Sequence, residues 1–126
     1  MICCYVDGGY KNDGGNYSNL TGYGSYKVVG EPDIIIEHKT FNLPEATSNN
    51  CAEYLSLIEL LRYLVQYNYI DVIIYMDSKL VVNQVNGLWK INYKNLQQLR
   101  DTVVSIKVNF ELKWTPRENI VKELGH

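Results

Sequence analysis

At 126 residues, with 46% apolar and 21% charged side chains, the chain has the composition of one globular domain, residues 1–126, large enough to bury a proper core. A net charge of −2 is no footprint of a nucleic-acid binder, and apolar runs of about five or six residues fall far short of the roughly 20 needed to span a bilayer. Three cysteines with no C-x-x-C spacing argue against a disulfide framework or a zinc site. No basic stretch followed by a long apolar segment opens the chain, so no signal peptide is expected. The sequence reads as cytoplasmic, with Cys3, Cys4 and Cys51 as reduced core thiols. Charge is unevenly spread: residues 1–63 carry four Lys/Arg against eight Asp/Glu, residues 64–126 eight against six.

In chain order, the apolar run Ile2-Cys3-Cys4-Tyr5-Val6 predicts a buried strand that delivers Asp7 onto a Gly8-Gly9 turn. Tyr10 to Leu20 is polar and Gly/Asn-rich, a loop. Thr21 to Val29 reads as a second strand, Gly30-Glu31-Pro32-Asp33 as a turn, and Asp33 to Leu43 as a third strand closing an antiparallel meander. After the breaker segment Pro44 to Asn50, a helix is expected over about Cys51 to Tyr67, with Asn50 as cap and Glu53 completing a capping box. Its apolar stripe runs through Leu57, Leu60 and Leu64, and stepping back four residues from Leu57 puts Glu53 on the same buried face.

Asp71 to Met76 predicts a fourth strand, parallel to the first because a helix separates them. Ser78 to Asn86 is a short helix closed by Gly87, and a further helix spans about Tyr93 to Val104, with Leu96, Leu99 and Val103 on one face. Lys107 to Trp114 alternates, Val108, Phe110, Leu112 and Trp114 on one side, as an edge strand does. Thr115-Pro116 breaks it before a last helix, Arg117 to His126. The order βββαβααβα predicts an α/β fold, a five-stranded mixed sheet flanked by helices.

This topology draws Asp7, Glu53 and Asp77 together from three elements. Clustered carboxylates without histidine or thiolate make a hard oxygen site of the kind that suits Mg²⁺ or Mn²⁺, and they repel one another unless a cation sits among them. Two such ions can activate water and stabilise the leaving oxygen of a phosphodiester.

Four blocks then carry a family resemblance: Asp7-Gly8-Gly9; Ser48-Asn49-Asn50-Cys51-Ala52-Glu53-Tyr54; Met76-Asp77-Ser78-Lys79 with Gln84, Gly87 and Trp89; and Trp114-Thr115-Pro116-Arg117-Glu118-Asn119. In order and spacing they resemble type 1 ribonuclease H over essentially the whole chain, in a compact microbial form without an N-terminal hybrid-binding domain. The basic protrusion of some members is also expected to be missing, because the segment after Trp89 runs straight into the next helix. The resemblance implies a ribonuclease-H-like fold and an endonuclease that cuts the RNA strand of an RNA/DNA hybrid with two Mg²⁺ or Mn²⁺ ions, needing no membrane and no obligate protein partner. It makes Asp7, Glu53 and Asp77 metal ligands and Arg117 a catalytic-loop residue. It places Gly8, Asn49, Asn50, Gln84, Trp89 and Lys90 against the substrate, with Asn83 and Asn86 as further candidates.

The fourth acid of the family is where this sequence departs. Counting back from Leu124 puts Lys122 in that slot; counting forward from Asn119 puts Glu123 there. The leucine register is preferred because an apolar anchor fixes the buried face of a short helix. An ammonium cannot ligate a cation, so three outcomes stand open: Lys122 as a surrogate cation, Glu123 as the ligand, or an impaired site. The sequence therefore reads first as a hybrid ribonuclease of reduced or Mn²⁺-favouring activity. Its rivals are an inactive hybrid-binding module and another nuclease of the superfamily, such as a junction resolvase or an integrase-like core.

Overall fold

A computed structural model describes residues 1–12 and 20–125. Period-two alternation along Ile2–Asn12 (β1) sends Cys4 and Val6 to one face, where neither is exposed, and Cys3, Tyr5 and Asp7 to the other. Leu20–Gly30 (β2) pairs antiparallel with β1, Asp7 opposite Ser25 and Gly8 opposite Gly24. Ile34–Leu43 (β3) pairs antiparallel with β2. Asp71–Met76 (β4) lies parallel to β1, and Asn109–Trp114 (β5) parallel to β4. The sheet order is β3-β2-β1-β4-β5, so β1, which carries Asp7, is central and flanked by β4, which ends at Asp77.

Helix α1, Asn49–Gln66, packs Leu57, Leu60, Leu61 and Leu64 against the Cys4/Val6 face, together with Val28, Ile74 and Met76. Each of those leucines is fully buried, worth about 2 kcal/mol apiece against exposure. Lys79–Val85 (α2) and Lys94–Ser105 (α3) follow, α3 packing on α1, and Arg117–Leu124 (α4) contacts β1 and β2. Its Ile120 and Leu124 are buried. The element order βββαβααβα and the mixed sheet agree with the sequence expectation.

Several local expectations need correction. The first strand does not turn at Gly8-Gly9; it continues to Asn12, and the expected loop gives up its first three residues. Residues 13–19, and His126 at the expected end of the last helix, lie outside the described residues. The glycines serve close approach instead. A Cβ on Gly8 would sit 2.5 Å from the carbonyl oxygen of Ala52 and 2.5 Å from Ser56 Oγ, and one on the facing Gly24 would strike Ser56 Oγ and Phe41. Two adjacent strands without side chains open the slot in which the first turns of α1 lie.

The cap of α1 is Ser48, whose Oγ accepts from Cys51 N at 3.0 Å; Asn50 is already helical, and Glu53 is no part of a capping box. Trp114 was expected to face the core with Phe110 and Leu112 but is 43% exposed. It ends β5 at the sheet rim, where its indole Nε1 donates to the Asp77 carbonyl at 3.2 Å.

If the glycine slot sets the distance between α1 and the sheet, Gly8→Ala must push the two apart. Urea unfolding should show a loss of about 2 kcal/mol, as for overpacking; an unchanged midpoint would mean the slot has slack.

Candidate active site

Asp7 stands in the central strand with no exposure at all, although a buried carboxylate is costly without compensation. Glu53 comes from the second turn of α1, lowered towards β1 by the glycine slot. Asp77 follows the last residue of β4, its side chain 9% exposed. One carboxylate oxygen from each lies within 4.8 Å of the others, so the three acids expected to converge do so.

The surroundings hold them. Ser78 caps α2, its Oγ accepting from Val81 N at 3.2 Å, and its hydroxyl also hydrogen-bonds Glu53. Thr115 N donates to the Met76 carbonyl at 2.8 Å and Trp114 to that of Asp77, so the end of β5 fixes the chain around Asp77. The Lys79 ammonium lies 4.7 Å from the Trp114 ring centroid, a cation–π contact that packs the indole in place.

Arg117, the first residue of α4, sends its guanidinium into the cluster. Nη1 donates to Asp77 Oδ2 at 2.9 Å and lies 3.6 Å from Asp7 Oδ1. Burial, then the charges of Asp7 and Asp77 and a hydrogen bond with Asp7, outweigh the Ser78 contact and push the Glu53 carboxyl up to about 8. Burial beside two other acids thus favours the neutral form of Glu53. Tyr23, opposite Gly9 in the β1–β2 ladder, has its phenol pushed up by burial and then by Asp7, and it hydrogen-bonds Arg117.

Other expected residues fall in different places. Gln84 is 4% exposed, its Oε1 accepting from Tyr54 Oη at 2.7 Å, which puts it in the contact between α2 and α1. Asn86 Nδ2 donates to the Leu112 carbonyl at 3.1 Å, a structural tie. Asn49 is exposed beside the cluster, and its Oδ1 accepts from Tyr10 N at 2.9 Å, coupling α1 to the extended β1. Asn50 is half-buried in an open groove with Tyr93, Asn95 and Leu96, and Trp89 and Lys90 are exposed beyond the Gly87 turn.

In α4 the buried Leu124 and Ile120 leave Lys122 exposed in an open groove with Tyr5, Tyr75 and Asn119. Glu123 Oε1 lies 3.4 Å from Lys27 Nζ, and neither Lys122 nor Glu123 joins the three clustered acids. Ser78 and Tyr23 are the site residues that sequence reasoning missed. Ser78 stands in the sequence as a helix start and as part of the Met76-Asp77-Ser78-Lys79 block, with no role in the site, and Tyr23 needs β1 to run past its glycines before the hairpin register can place it.

A family model for reverse transcriptase-like proteins matches residues 31–121. The chain belongs to that reverse transcriptase-like family. As a member of it, the protein is similar in structure to RNase H1 from the halophilic archaeon Halobacterium salinarum NRC-1, with a TM-score of 0.82 and 22% identity over 94% of this chain and 88% of that one. It is similar also to LC11-RNase H1, a protein from compost whose structure in complex with an RNA/DNA hybrid gives a TM-score of 0.83 and 25% identity over 97% of this chain and 90% of that one. In sequence it is 32% identical over 112 residues, 83% of this chain, to Bifunctional protein Rv2228c of Mycobacterium tuberculosis. The chain spans 30% of the length of the curated relatives it matches. The resemblance to type 1 ribonuclease H thus holds for family and fold. Among the described residues, no helix is long and apolar enough to cross a membrane.

The raised Glu53 carboxyl has a thermodynamic consequence for the metal-free protein. A folded-state value above the usual 4.5 means that the native state binds the extra proton, so the stability linked to it is fully present below about pH 4.5 and is lost as pH rises through about 8. Melting in EDTA should show Tm falling across that window for wild type relative to Glu53→Gln. Parallel pH profiles of the two would show that Glu53 titrates normally.

Proposed function

We propose that the chain is a divalent-metal-dependent nuclease that hydrolyses the RNA strand of RNA/DNA hybrids. The observation that carries this reading is the convergence of Asp7, Glu53 and Asp77, within 4.8 Å, in a type 1 ribonuclease H fold. The donor set fits the group it would hold: three carboxylates with no nitrogen or sulfur ligand suit a hard cation such as Mg²⁺ or Mn²⁺. Two such ions would supply a nucleophile from water at neutral pH and neutralise charge on the leaving oxygen. The complex of LC11-RNase H1 with an RNA/DNA hybrid supports the substrate class.

The chain's own residues set the rest. Asp7, within β1, and Asp77, directly after the end of the adjacent parallel β4, would give a closely held pair of ligands; Glu53, from a helix, would complete the set and must lose its proton to do so. Arg117 lies where a phosphate held by this group would develop charge, and its planar fork of donors suits phosphate oxygens. Gly8, expected against the substrate, would act from below: its missing side chain lets α1 lie against β1 and so brings Glu53 to Asp7. Asn49, against the extended β1, and Asn50, facing the groove towards α3, would meet the minor groove, where ribose 2′-hydroxyls distinguish RNA. Trp89 and Lys90 offer an apolar face and a positive charge to the other strand. Gln84 contributes one step away, by holding α2 against Tyr54. The reduced thiols fit a cytoplasmic enzyme, and burial pushes Cys4 up to about 12, which leaves it inert.

A second reading, a weak or inactive hybrid-binding module, is favoured by one specific feature: α4 brings Arg117 to the acids, while Lys122 faces outward and Glu123 faces Lys27. The two readings separate on a labelled RNA/DNA hybrid, with single-stranded RNA, double-stranded RNA and double-stranded DNA as controls, in Mg²⁺, Mn²⁺ and EDTA. Metal-dependent cutting confined to the RNA of the hybrid is expected, stronger in Mn²⁺. Binding without cutting would establish the module, and cutting of DNA junctions instead would point to another nuclease of the superfamily.

In the same assay Asp7→Asn and Asp77→Asn should each reduce cleavage by at least about 10³-fold while the protein stays folded by circular dichroism. Full activity in either variant would remove that residue from the metal site.

A further inference from the structure

The guanidinium of Arg117 sits on the two carboxylates that the metal reading needs. Nη1 is 2.9 Å from Asp77 Oδ2 and 3.6 Å from Asp7 Oδ1, a bridge between the middle of β1 and the residue that follows β4. The partners differ sharply in freedom. Asp7 is fully buried and Asp77 nearly so, whereas the Arg117 side chain is 58% exposed. Its backbone begins a helix just after Pro116, and α4 itself is anchored elsewhere, by buried Ile120 and Leu124 and by Asn119 Nδ2 donating to Thr115 Oγ1 at 2.8 Å. The side chain can therefore swing out without moving α4.

We infer that Arg117 is a resident cation of this site: it neutralises Asp7 and Asp77 in the metal-free protein, and it leaves them when divalent ions bind. This inference rests on the metal reading of Asp7, Glu53 and Asp77. Loading of the site is then an exchange of cations, so the apparent affinity for metal is the intrinsic affinity divided by the preference of the site for Arg117. A residue that merely positioned Asp77 would have the opposite effect on removal, because a displaced ligand weakens binding. The sign of the change in affinity decides between the two roles.

The deciding experiment is calorimetric titration of MgCl₂ and MnCl₂ into the wild-type chain, Arg117→Ala and Arg117→Lys, without nucleic acid, with melting curves of each in EDTA. Arg117→Ala should bind both ions roughly three- to tenfold more tightly, the range expected for losing one charge-assisted contact, and should melt lower than wild type in EDTA. Arg117→Lys, which keeps the charge but loses the planar fork, should fall between. Arg62→Ala removes the same charge from an exposed pair with Glu59 on α1 and should leave the affinity unchanged. Unchanged or weaker metal binding in Arg117→Ala, or an equal tightening in Arg62→Ala, overturns the exchange while leaving the metal site standing. Absence of any binding by wild type, with neither heat nor a rise in Tm, overturns the metal reading and the exchange together.

Discussion

Mutual repulsion among Asp7, Glu53 and Asp77 is the constraint around which the functional end of this molecule is arranged. Oxygens within 4.8 Å of one another, at the effective dielectric of a protein near its surface, would repel by about 3 kcal/mol for each charged pair. The fold relieves this in two ways visible at the site. The guanidinium of Arg117 bridges Asp7 and Asp77, and Glu53 keeps its proton well above the usual carboxylate range. Both devices are reversible. An arginine can swing away and a proton can leave, and under the proposed metal-dependent reading divalent cations would take their place.

The convergence depends on backbone geometry as much as on charge. Asp7 and Asp77 are neighbours because β1 and β4 run parallel, with Tyr5 beside Tyr75, so that both strands arrive at one rim of the sheet. Glu53 reaches the same rim only because Gly8 and Gly24 admit the first turns of α1 against the backbone. Ser48 caps α1 and Ser78 caps α2 at this rim, and the Trp114 indole holds the carbonyl of Asp77. The acids are thus set within a strand, directly after a strand end and early in a helix, each held by the sheet or by a capped helix next to it.

Much of this was legible in the sequence. The apolar runs ending in Asp7 and Asp77 and the stripe ending in Glu53 are periodic signals, and periodicity survives without tertiary information. Misreadings came where a residue type has two physical uses. Gly8-Gly9 looked like a turn, but glycine also permits close approach, and only the packed helix tells these apart. Asn50 looked like a cap, yet Ser48 two residues earlier took the role and moved Glu53 into the second turn. Gln84 looked like a substrate contact, whereas its amide oxygen accepts from the buried Tyr54 hydroxyl and ties α2 to α1. Trp114 obeyed the alternation of its strand but lay beyond the end of the core. The departure at α4 was visible as a conflict of registers, and the fold gives each residue a place: Lys122 in an open groove, Glu123 against Lys27.

The charge balance of the cluster is open to direct observation. Crystals of the chain grown in EDTA and then transferred to MnCl₂, with anomalous data collected at the manganese edge, would show where the cation goes. The expected result is a peak among the carboxylate oxygens of Asp7, Glu53 and Asp77, with the Arg117 guanidinium withdrawn from Asp77. No peak there at saturating manganese, with Arg117 still seated on Asp77, would contradict the metal site on which this reading of the protein stands.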